Sequence, residues 1–514
     1  MTQRPVAASG STTARSRRLF GGGALSRARR RRERREDPRS GRNTARELAN
    51  QAFSRASGAP LRTGNHLRLL KDAAENYPAW LEAIESARRT IHVEMYIIHE
   101  DDQGRRFADA LTRKASEGVQ VRLLYDWLGG VGKTSRAFWS RLRAGGVDVR
   151  CYNPPRFDHP LGWVSRDHRK VISIDGRVAF VTGLCIGQMW AGYPERHLDP
   201  WRDTGVEMLG PAVADVEDAF ADAWAAAGDR LAGSPVSHAD APPAAGDVAV
   251  RVVATVPNTA GLFRLDQLVA AMARSTLWLT DAYYAGTVPY VQALRAAAQD
   301  GVDVRLLVPG ASDIPLIRPV SRAGYRPLLE AGVRVFEWNG SMLHAKTAVA
   351  DARWARVGST NLNVASWMGN RELDVIVENE PFASRMQEMF LDDLANATEI
   401  ILDARSHVRA PDSPRRRQEL TARGGGSGGR VAAGAMRIGN TVSAAITNRR
   451  VLESVEANIA VIAGLCLAAV AALAVTYPRA LAYPIAFVAA WIAAALLYRG
   501  GMLYRQRRRE RAAR

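Results

Sequence analysis

His168-x-Lys170 is followed by Asp175, and His344-x-Lys346 by Asp351, so one spaced signature, H-x-K-x4-D, occurs twice in this chain. The 514 residues hold five lysines against 65 arginines, and two of the five stand two places after a histidine. Replacement of nearly every Lys by Arg that spares these two marks a compact ammonium beside an imidazole as a chemical requirement. Positions i and i+2 of a strand share a face, so each histidine points the same way as its lysine. Two such pairs suit phosphodiester cleavage. One imidazole attacks phosphorus to give a covalent phosphohistidine. The other protonates the leaving alkoxide, then deprotonates the incoming hydroxyl. The lysines neutralise the non-bridging oxygens where charge develops. This scheme needs no metal or other cofactor, and the sequence has no Cys/His or carboxylate cluster with metal-ligand spacing.

The elements that hold these residues read as strands. Residues 171–174 and 347–350 are apolar or β-branched, as buried strands are. A straight strand sends Asp175 and Asp351 to the face opposite the histidines. Asp175-Gly176 is a strong two-residue hairpin signal and Asp351-Ala352 a weaker one. The aspartates are therefore either turn residues or part of the chemistry, and the spacing leaves both open. With two-residue turns the strands return over 177–181 and 353–357. Ser359 then pairs opposite His344, with Gly183 at the matching position of the first copy.

The duplication extends beyond the signatures. Gly118-Val-Gln-Val-Arg-Leu-Leu124 matches Gly301-Val-Asp-Val-Arg-Leu-Leu307, Ala144-Gly-Gly-Val-Asp-Val149 resembles Ala331-Gly-Val-Arg-Val335, and 90–98 matches 276–284. Each half runs strand, helix, strand, helix, strand, then the signature hairpin. That order implies an α/β sandwich. Neither half holds a complete acid and base, so the halves must face each other across one cleft.

On these residues the chain resembles the phospholipase D superfamily and, within it, the bacterial cardiolipin synthases, over about residues 67–402. Asp175-Gly-Arg-Val-Ala-Phe180, Trp201-Arg-Asp-Thr204, Gly210-Pro-Ala-Val213, Gly358-Ser-Thr-Asn361 (the family's G-S-x-N) and Asn370-Arg-Glu-Leu373 carry the likeness further. The resemblance implies an α/β fold of two pseudo-symmetric phospholipase D-like αβα sandwich halves sharing one active site. It implies a catalytic set of His168, Lys170, Asp175, His344, Lys346, Asp351, Glu372 and Asp203, with His168 as nucleophile and His344 as general acid. Glu372 would support His344 and Asp203 would support His168, each fixing a tautomer and stabilising an imidazolium. Ser359 and Asn361 would bind the substrate phosphate. The first half departs from the pattern: Thr182-Gly-Leu-Cys185 has a thiol where an amide is expected. The implied reaction joins two phosphatidylglycerols into cardiolipin and releases glycerol. Alternatives are a phospholipase D that lets water win and releases phosphatidic acid, a nucleic-acid phosphodiesterase, or a catalytically degenerate membrane scaffold.

Charge and composition bound the rest. The net charge of +18 sits in the tails: residues 1–50 carry 14 Arg and four acids, and 499–514 carry seven Arg and one Glu. The remaining core is close to neutral, which argues against nucleic acid as a partner. Anionic lipid on a bacterial membrane suits the basic arms better. Three cysteines (Cys151, Cys185, Cys466) give no disulfide framework. Residues 1–60 read as a disordered basic arm without the apolar region of a secretory signal. The halves span 61–226 and 249–404, joined by a linker at 227–248, and a flexible juxtamembrane segment covers 405–450. Two apolar stretches within 451–498 (455–477 and 481–498) suggest a transmembrane hairpin, followed by a basic tail at 499–514. Arginines on both flanks would keep the catalytic halves cytoplasmic, at the inner membrane. Gly129-Gly-Val-Gly-Lys-Thr134 resembles a phosphate-binding loop, but Trp127 occupies the glycine position that pattern requires, so a loop on the cleft rim is expected instead.

Overall fold

The computed structural model describes residues 38–156, 164–231, 241–313, 321–402, 408–409, 465 and 468–512. Both halves lie within one compact unit, Phe53–Arg514. The first half supplies strands β1 (Arg62–Lys71), β2 (Thr90–Met95), β3 (Gln120–Asp126), β4 (Asp148–Tyr152), β5 (Lys170–Ile174), β6 (Val178–Thr182) and β7 (Thr204–Leu209). The second supplies β8 (Val248–Thr255), β9 (Thr276–Thr280), β10 (Asp303–Pro309), β11 (Arg334–Trp338), β12 (Thr347–Ala350), β13 (Trp354–Gly358), β14 (Glu372–Glu378) and β15 (Ala397–Leu402), with a short β16 (Val408–Arg409) at the edge. One mixed sheet contains them all, in the order β16-β15-β11-β10-β9-β12-β13-β14-β8-β1-β7-β6-β5-β2-β3-β4.

That order is a palindrome of roles about the β8–β1 junction. Outward from β1 run β7, β6, β5, β2, β3 and β4; outward from β8 run β14, β13, β12, β9, β10 and β11. Each half thus repeats the other, and its signature strand (β5 or β12) sits mid-sheet with every residue buried. Burial on both faces is why these strands read as unbroken apolar runs rather than alternating ones. Helices α2 (Asp72–Ser86), α3 (Asp102–Ser116), α4 (Arg136–Ala144) and α5 (Val213–Ala226) belong to the first half, and α6 (Gly261–Met272), α7 (Val288–Gln299) and α8 (Glu380–Ala395) to the second. Gly118 and Gly301 end α3 and α7 at φ of +89° and +92°, a left-handed conformation that glycine adopts without a Cβ penalty. That requirement explains why the G-V-x-V-R-L-L segment opens with glycine in both copies.

A shared apolar cluster crosses the junction: Val171, Val181 and Val206 of the first half pack with Val252, Val349, Val357 and Val375 of the second. Arg169, on the back of β5, reaches across the same junction. Its guanidinium donates to the carbonyls of Ala219 (2.8 Å), Thr255 (2.9 Å) and Glu372 (3.1 Å).

Two expectations need correction. First, both hairpins carry one residue more than a two-residue turn allows. Ile174 pairs with Val178 and Ala350 with Trp354, leaving three residues in each connection. Asp175, Gly176, Asp351 and Ala352 all take positive φ there. A one-residue slip in register moves every partner, so Ser359 does not face His344. Second, part of the arm read as disordered is helical: α1 spans Pro38–Ser57, and its Phe53 packs beside the second-half core. Residues 1–37 lie outside the described residues. Most of the expected first membrane span falls outside the described residues as well. The second lies in α9 (Pro478–Ala512), which continues through the basic tail. Among the described residues no helix is long and apolar enough to cross a membrane.

Candidate active site

The loops that lead into β5 and β12 cross between the halves. The His168 amide donates to the Arg371 carbonyl (2.9 Å), and the His344 amide donates to the Arg202 carbonyl (2.7 Å). Each histidine is therefore pinned beside the acid that follows that arginine in the other half. His168 Nδ1 lies 2.9 Å from Glu372 Oε2, and His344 Nδ1 lies 2.7 Å from Asp203 Oδ2. This reverses the expected pairing. The physical reason is the bridge itself: residues 167 and 371, and 202 and 343, pair in parallel across the junction, which a single-half view of the sequence does not reveal. With Nδ1 of each ring engaged by a carboxylate, each Nε2 is left for chemistry.

Lys170 and Lys346 each stand beside their own histidine, although His168, His344 and Lys346 lie just ahead of the strands rather than on them. Each ammonium donates to the carbonyl of its own signature histidine. Each also lies over a tyrosine ring, Lys170 at 5.0 Å from Tyr96 and Lys346 at 5.8 Å from Tyr283. The same rings stand edge-on to His168 and His344. Sequence reasoning missed both tyrosines, because they come from adjacent rather than matching positions of the repeat. It also missed Trp190 and Trp201, whose rings stand 5.7 and 5.6 Å from His344.

The four signature side chains act on one another. Burial lowers the His168 pKa to about 4, offset in part by Glu372, while Lys170 and Lys346 push it further down. Burial holds His344 well below its ordinary value, and Lys346, Lys170 and His168 add to the effect. Burial also brings Lys346 down to about 8. Each half's charges thus reach the other's imidazole, which places both signatures in one pocket. An anion between them would relieve the repulsion, the property required of a phosphate site.

The two carboxylates differ. Burial raises the Glu372 pKa, but His168, Lys170 and Ser359 together hold it below its ordinary value. Ser359 Oγ donates to it at 2.6 Å and Asn370 Nδ2 at 3.1 Å. Burial instead leaves Asp203 above its ordinary value, although Lys346, the Thr204 amide, Arg202 and the Trp190 indole oppose the shift. Asp203 is held by its backbone too: its amide donates to Asp72 Oδ1 (2.8 Å), and its carbonyl accepts from Asp72 N (3.0 Å) and from Arg202.

The remaining predicted residues divide. Ser359, expected on the phosphate, turns its hydroxyl to Glu372. Asn361 is buried, and its side-chain oxygen has no hydrogen-bond partner. Its counterpart Cys185 is buried among Lys170, Asp203 and Lys346, and burial raises its thiol pKa. Asp175 and Asp351 do not join the site. Asp175 accepts from the amides of Arg88, Arg89 and Thr90, and Asp351 from those of Arg274, Ser275 and Thr276. They lock the turn entering β2 or β9 to the far end of the signature hairpin, about five residues or ~17 Å along the strand from the lysines. The spacing left their role open; three backbone amides per carboxylate resolve it as architectural. In the glycine-rich loop, Asp126 caps the turn Trp127–Gly130, and a Cβ on Gly129 would collide with the Tyr96 carbonyl. Gly129 thus serves close packing against the Tyr96 backbone.

The family model for the phospholipase D-like domain of cardiolipin synthases matches residues 80–187 and 269–394, the two segments that carry the signatures. Cardiolipin synthase A of Pseudomonas putida is 34% identical over 372 residues, covering 70% of this chain and 75% of its own length. The cardiolipin synthase of Alkalihalophilus pseudofirmus is 31% identical over 347 residues, covering 66% of this chain and 68% of its own. Among solved structures, the phosphatidylserine synthase of Haemophilus influenzae superposes with a TM-score of 0.52 at 14% identity, over 68% of this chain and 91% of that one, and so shares the fold. Duplicated sheet, crossed histidine–carboxylate pairs and relatives agree: the chain belongs to the phospholipase D-like cardiolipin synthase family.

Proposed function

We propose that this protein is a cardiolipin synthase, a phosphatidyltransferase that works through a phosphohistidine on His168. The observation that carries this reading is the crossed pair, His168 on Glu372 and His344 on Asp203, with Lys170 and Lys346 beside them. His168 Nε2 attacks the phosphorus of phosphatidylglycerol. The P–O bond to the glycerol headgroup breaks, and His344 delivers its proton to the departing oxygen. The hydroxyl of a second phosphatidylglycerol then gives its proton to His344 and attacks the phosphohistidine, so that cardiolipin forms and His168 is restored. An ionised Glu372 favours the nucleophilic role of its partner, since it holds the Nδ1 proton and stabilises the positive ring that phosphorylation creates. Asp203, whose pKa burial raises, suits the histidine that must hold and release a proton. Lys170 and Lys346 neutralise the phosphoryl oxygens, with Asn361 as the amide donor.

The enzyme is anchored in the inner membrane by the apolar stretches 455–477 and 481–498, with its catalytic halves cytoplasmic. The arginines flanking these stretches support that orientation, as do the exposed apolar side chains Ile485, Phe487 and Leu497 on α9. Anchoring confines the enzyme and both lipids to one surface, which raises their effective concentration. The test is incubation of detergent-solubilised protein with labelled phosphatidylglycerol and resolution of the lipids. Cardiolipin with free glycerol is expected. Phosphatidic acid alone would identify a hydrolase, and absence of turnover a scaffold.

A further inference from the structure

The pseudo-twofold breaks at one place beside the site that the catalytic scheme does not use. His99 and Ala285 are counterparts: the His99 amide donates to the Ile186 carbonyl (2.9 Å), as the Ala285 amide does to Leu362 (3.2 Å). The first half thus presents an imidazole where the second presents a methyl group. That imidazole lies flat against Gly187, where a Cβ would approach its Cδ2 at 2.9 Å. It stands edge-on to Trp190 with ring centroids 6.2 Å apart, and the same indole stands edge-on to His344 at 5.7 Å. His99 is therefore one indole away from the general acid. Its Nε2 is buried without a hydrogen-bond partner. A buried ring nitrogen in that state is costly unless a ligand completes it.

A cation joins it. Lys133, one of the chain's five lysines, lies in the glycine-rich loop, which is tied to the His99 segment by two bonds. The Glu100 amide donates to the Lys133 carbonyl (3.1 Å), and the Thr134 hydroxyl donates to the Ile98 carbonyl. The Lys133 charge reaches His99, whose pKa burial and that charge bring down to about 4. The nearby Asp101 carboxylate is engaged by the amides of Gly104 (3.1 Å) and Gln188 (2.7 Å).

We propose that His99 and Lys133 form a second anion subsite, one indole beyond His344, that takes the phosphodiester of the incoming acceptor lipid. The inference rests on the synthase reading and deepens it. Donor and acceptor are the same molecule in that reaction, so a symmetric scaffold needs a one-sided feature to tell them apart. An acceptor phosphatidylglycerol carries its own phosphodiester one glycerol unit from the attacking hydroxyl. With that hydroxyl against His344, the proposed subsite would take the second phosphate on the far side of the Trp190 indole, whose ring stands between His99 and His344. Water and free glycerol carry no such anion, so the subsite favours lipid over either competitor.

The test uses the full-length protein in phosphatidylglycerol vesicles with labelled free glycerol. Transfer to glycerol gives labelled phosphatidylglycerol, and transfer to lipid gives cardiolipin. In H99A and in K133A the ratio of cardiolipin to glycerol exchange is expected to fall about tenfold, the scale of one hydrogen bond to a charged group. H99Q, which keeps an N–H donor, should recover part of the loss. An unchanged ratio in both H99A and K133A overturns the subsite. A wild-type protein that makes no cardiolipin at all removes the synthase reading first, so the two failures are distinct.

Discussion

The two halves of this molecule share a frame and differ in their chemistry. Both place a buried histidine and lysine at the entrance to a mid-sheet strand, a tyrosine ring beside the lysine, and an aspartate locking the distal turn. The carboxylate that orients each imidazole, however, comes from the other half, and the two carboxylates are not alike. Glu372 is held ionised by its neighbours, whereas burial raises Asp203. The back of the signature strand differs too. Asp167 and Arg169 flank His168, while Leu343 and Ala345 flank His344. Duplication supplied a symmetric scaffold, and substitution around it separated a nucleophile from an acid. Because the supports are exchanged, neither half can be an enzyme by itself.

The sharpest way to break that statement is to remove one imidazole. H168A and H344A should each lose essentially all transfer, at least about 10⁴-fold, because residues acting as one unit fail together. Product formation together with trapping of labelled phosphorus on protein checks this. H344A turning over at a wild-type rate would show that one half suffices.

The next test sets the two carboxylates against each other. E372Q should lower kcat by about 10²–10⁴-fold, since an amide cannot favour the tautomer with a proton on Nδ1. D203N should cost less, about 10–100-fold, as for a supporting group that orients a ring. The reverse order would exchange the roles of the two histidines. Under the pairing expected from sequence, E372Q would impair His344; mapping each variant's effect on histidine phosphorylation distinguishes the pairings.

The pH profile sharpens the same comparison with a smaller effect. A Lys346 pKa lowered to about 8 means that the ammonium is present below that pH and lost above it. Loss of that ammonium should therefore add a fall in kcat/KM above about pH 8, on top of the fall set by deprotonation of His344, which must carry a proton to act as the acid and whose pKa burial lowers. On the acid side His168 must be neutral to attack. With its pKa near 4, the rate should hold down to about that pH and fall below it. K346Q should remove that added fall, and a fall unchanged in that variant would assign it to another group.

Much of this was legible in the sequence, and the part that was not has a common cause. The signatures, the repeat and the α/β order follow from local spacing, and local spacing survives folding: His168 with Lys170 and His344 with Lys346 each share one pocket as the strand period requires. What failed was long-range. The exchange of Glu372 and Asp203 depends on backbone bridges between residues more than 140 positions apart, such as Arg202 with Leu343. The register beside Ser359 depends on a turn one residue longer than the two expected at Asp351-Ala352, and its hydroxyl lies on Glu372. The tyrosines escaped notice because Tyr96 and Tyr283 do not align in the repeat, though they perform the same contact.

Asp175 and Asp351 give the smallest effect on activity and the clearest test of what the repeat kept. Each carboxylate accepts three backbone amides, at 2.7–2.9 Å for Asp175. Removing it leaves those amides to find water or go unpaired, which costs about 1–3 kcal/mol. D175A and D351A should therefore lower the unfolding midpoint by similar amounts, while kcat of the protein that remains folded stays within about twofold. Thermal unfolding and turnover measured on the same preparations decide the matter. A large fall in kcat with unchanged stability would return the aspartates to the chemistry. Equal destabilisation with intact turnover would identify the last letter of each signature as the lock that sets its strand in register. On that outcome, the part of the motif that looked most catalytic by type is the part the two halves share as structure, and the acids that differ between them carry the function.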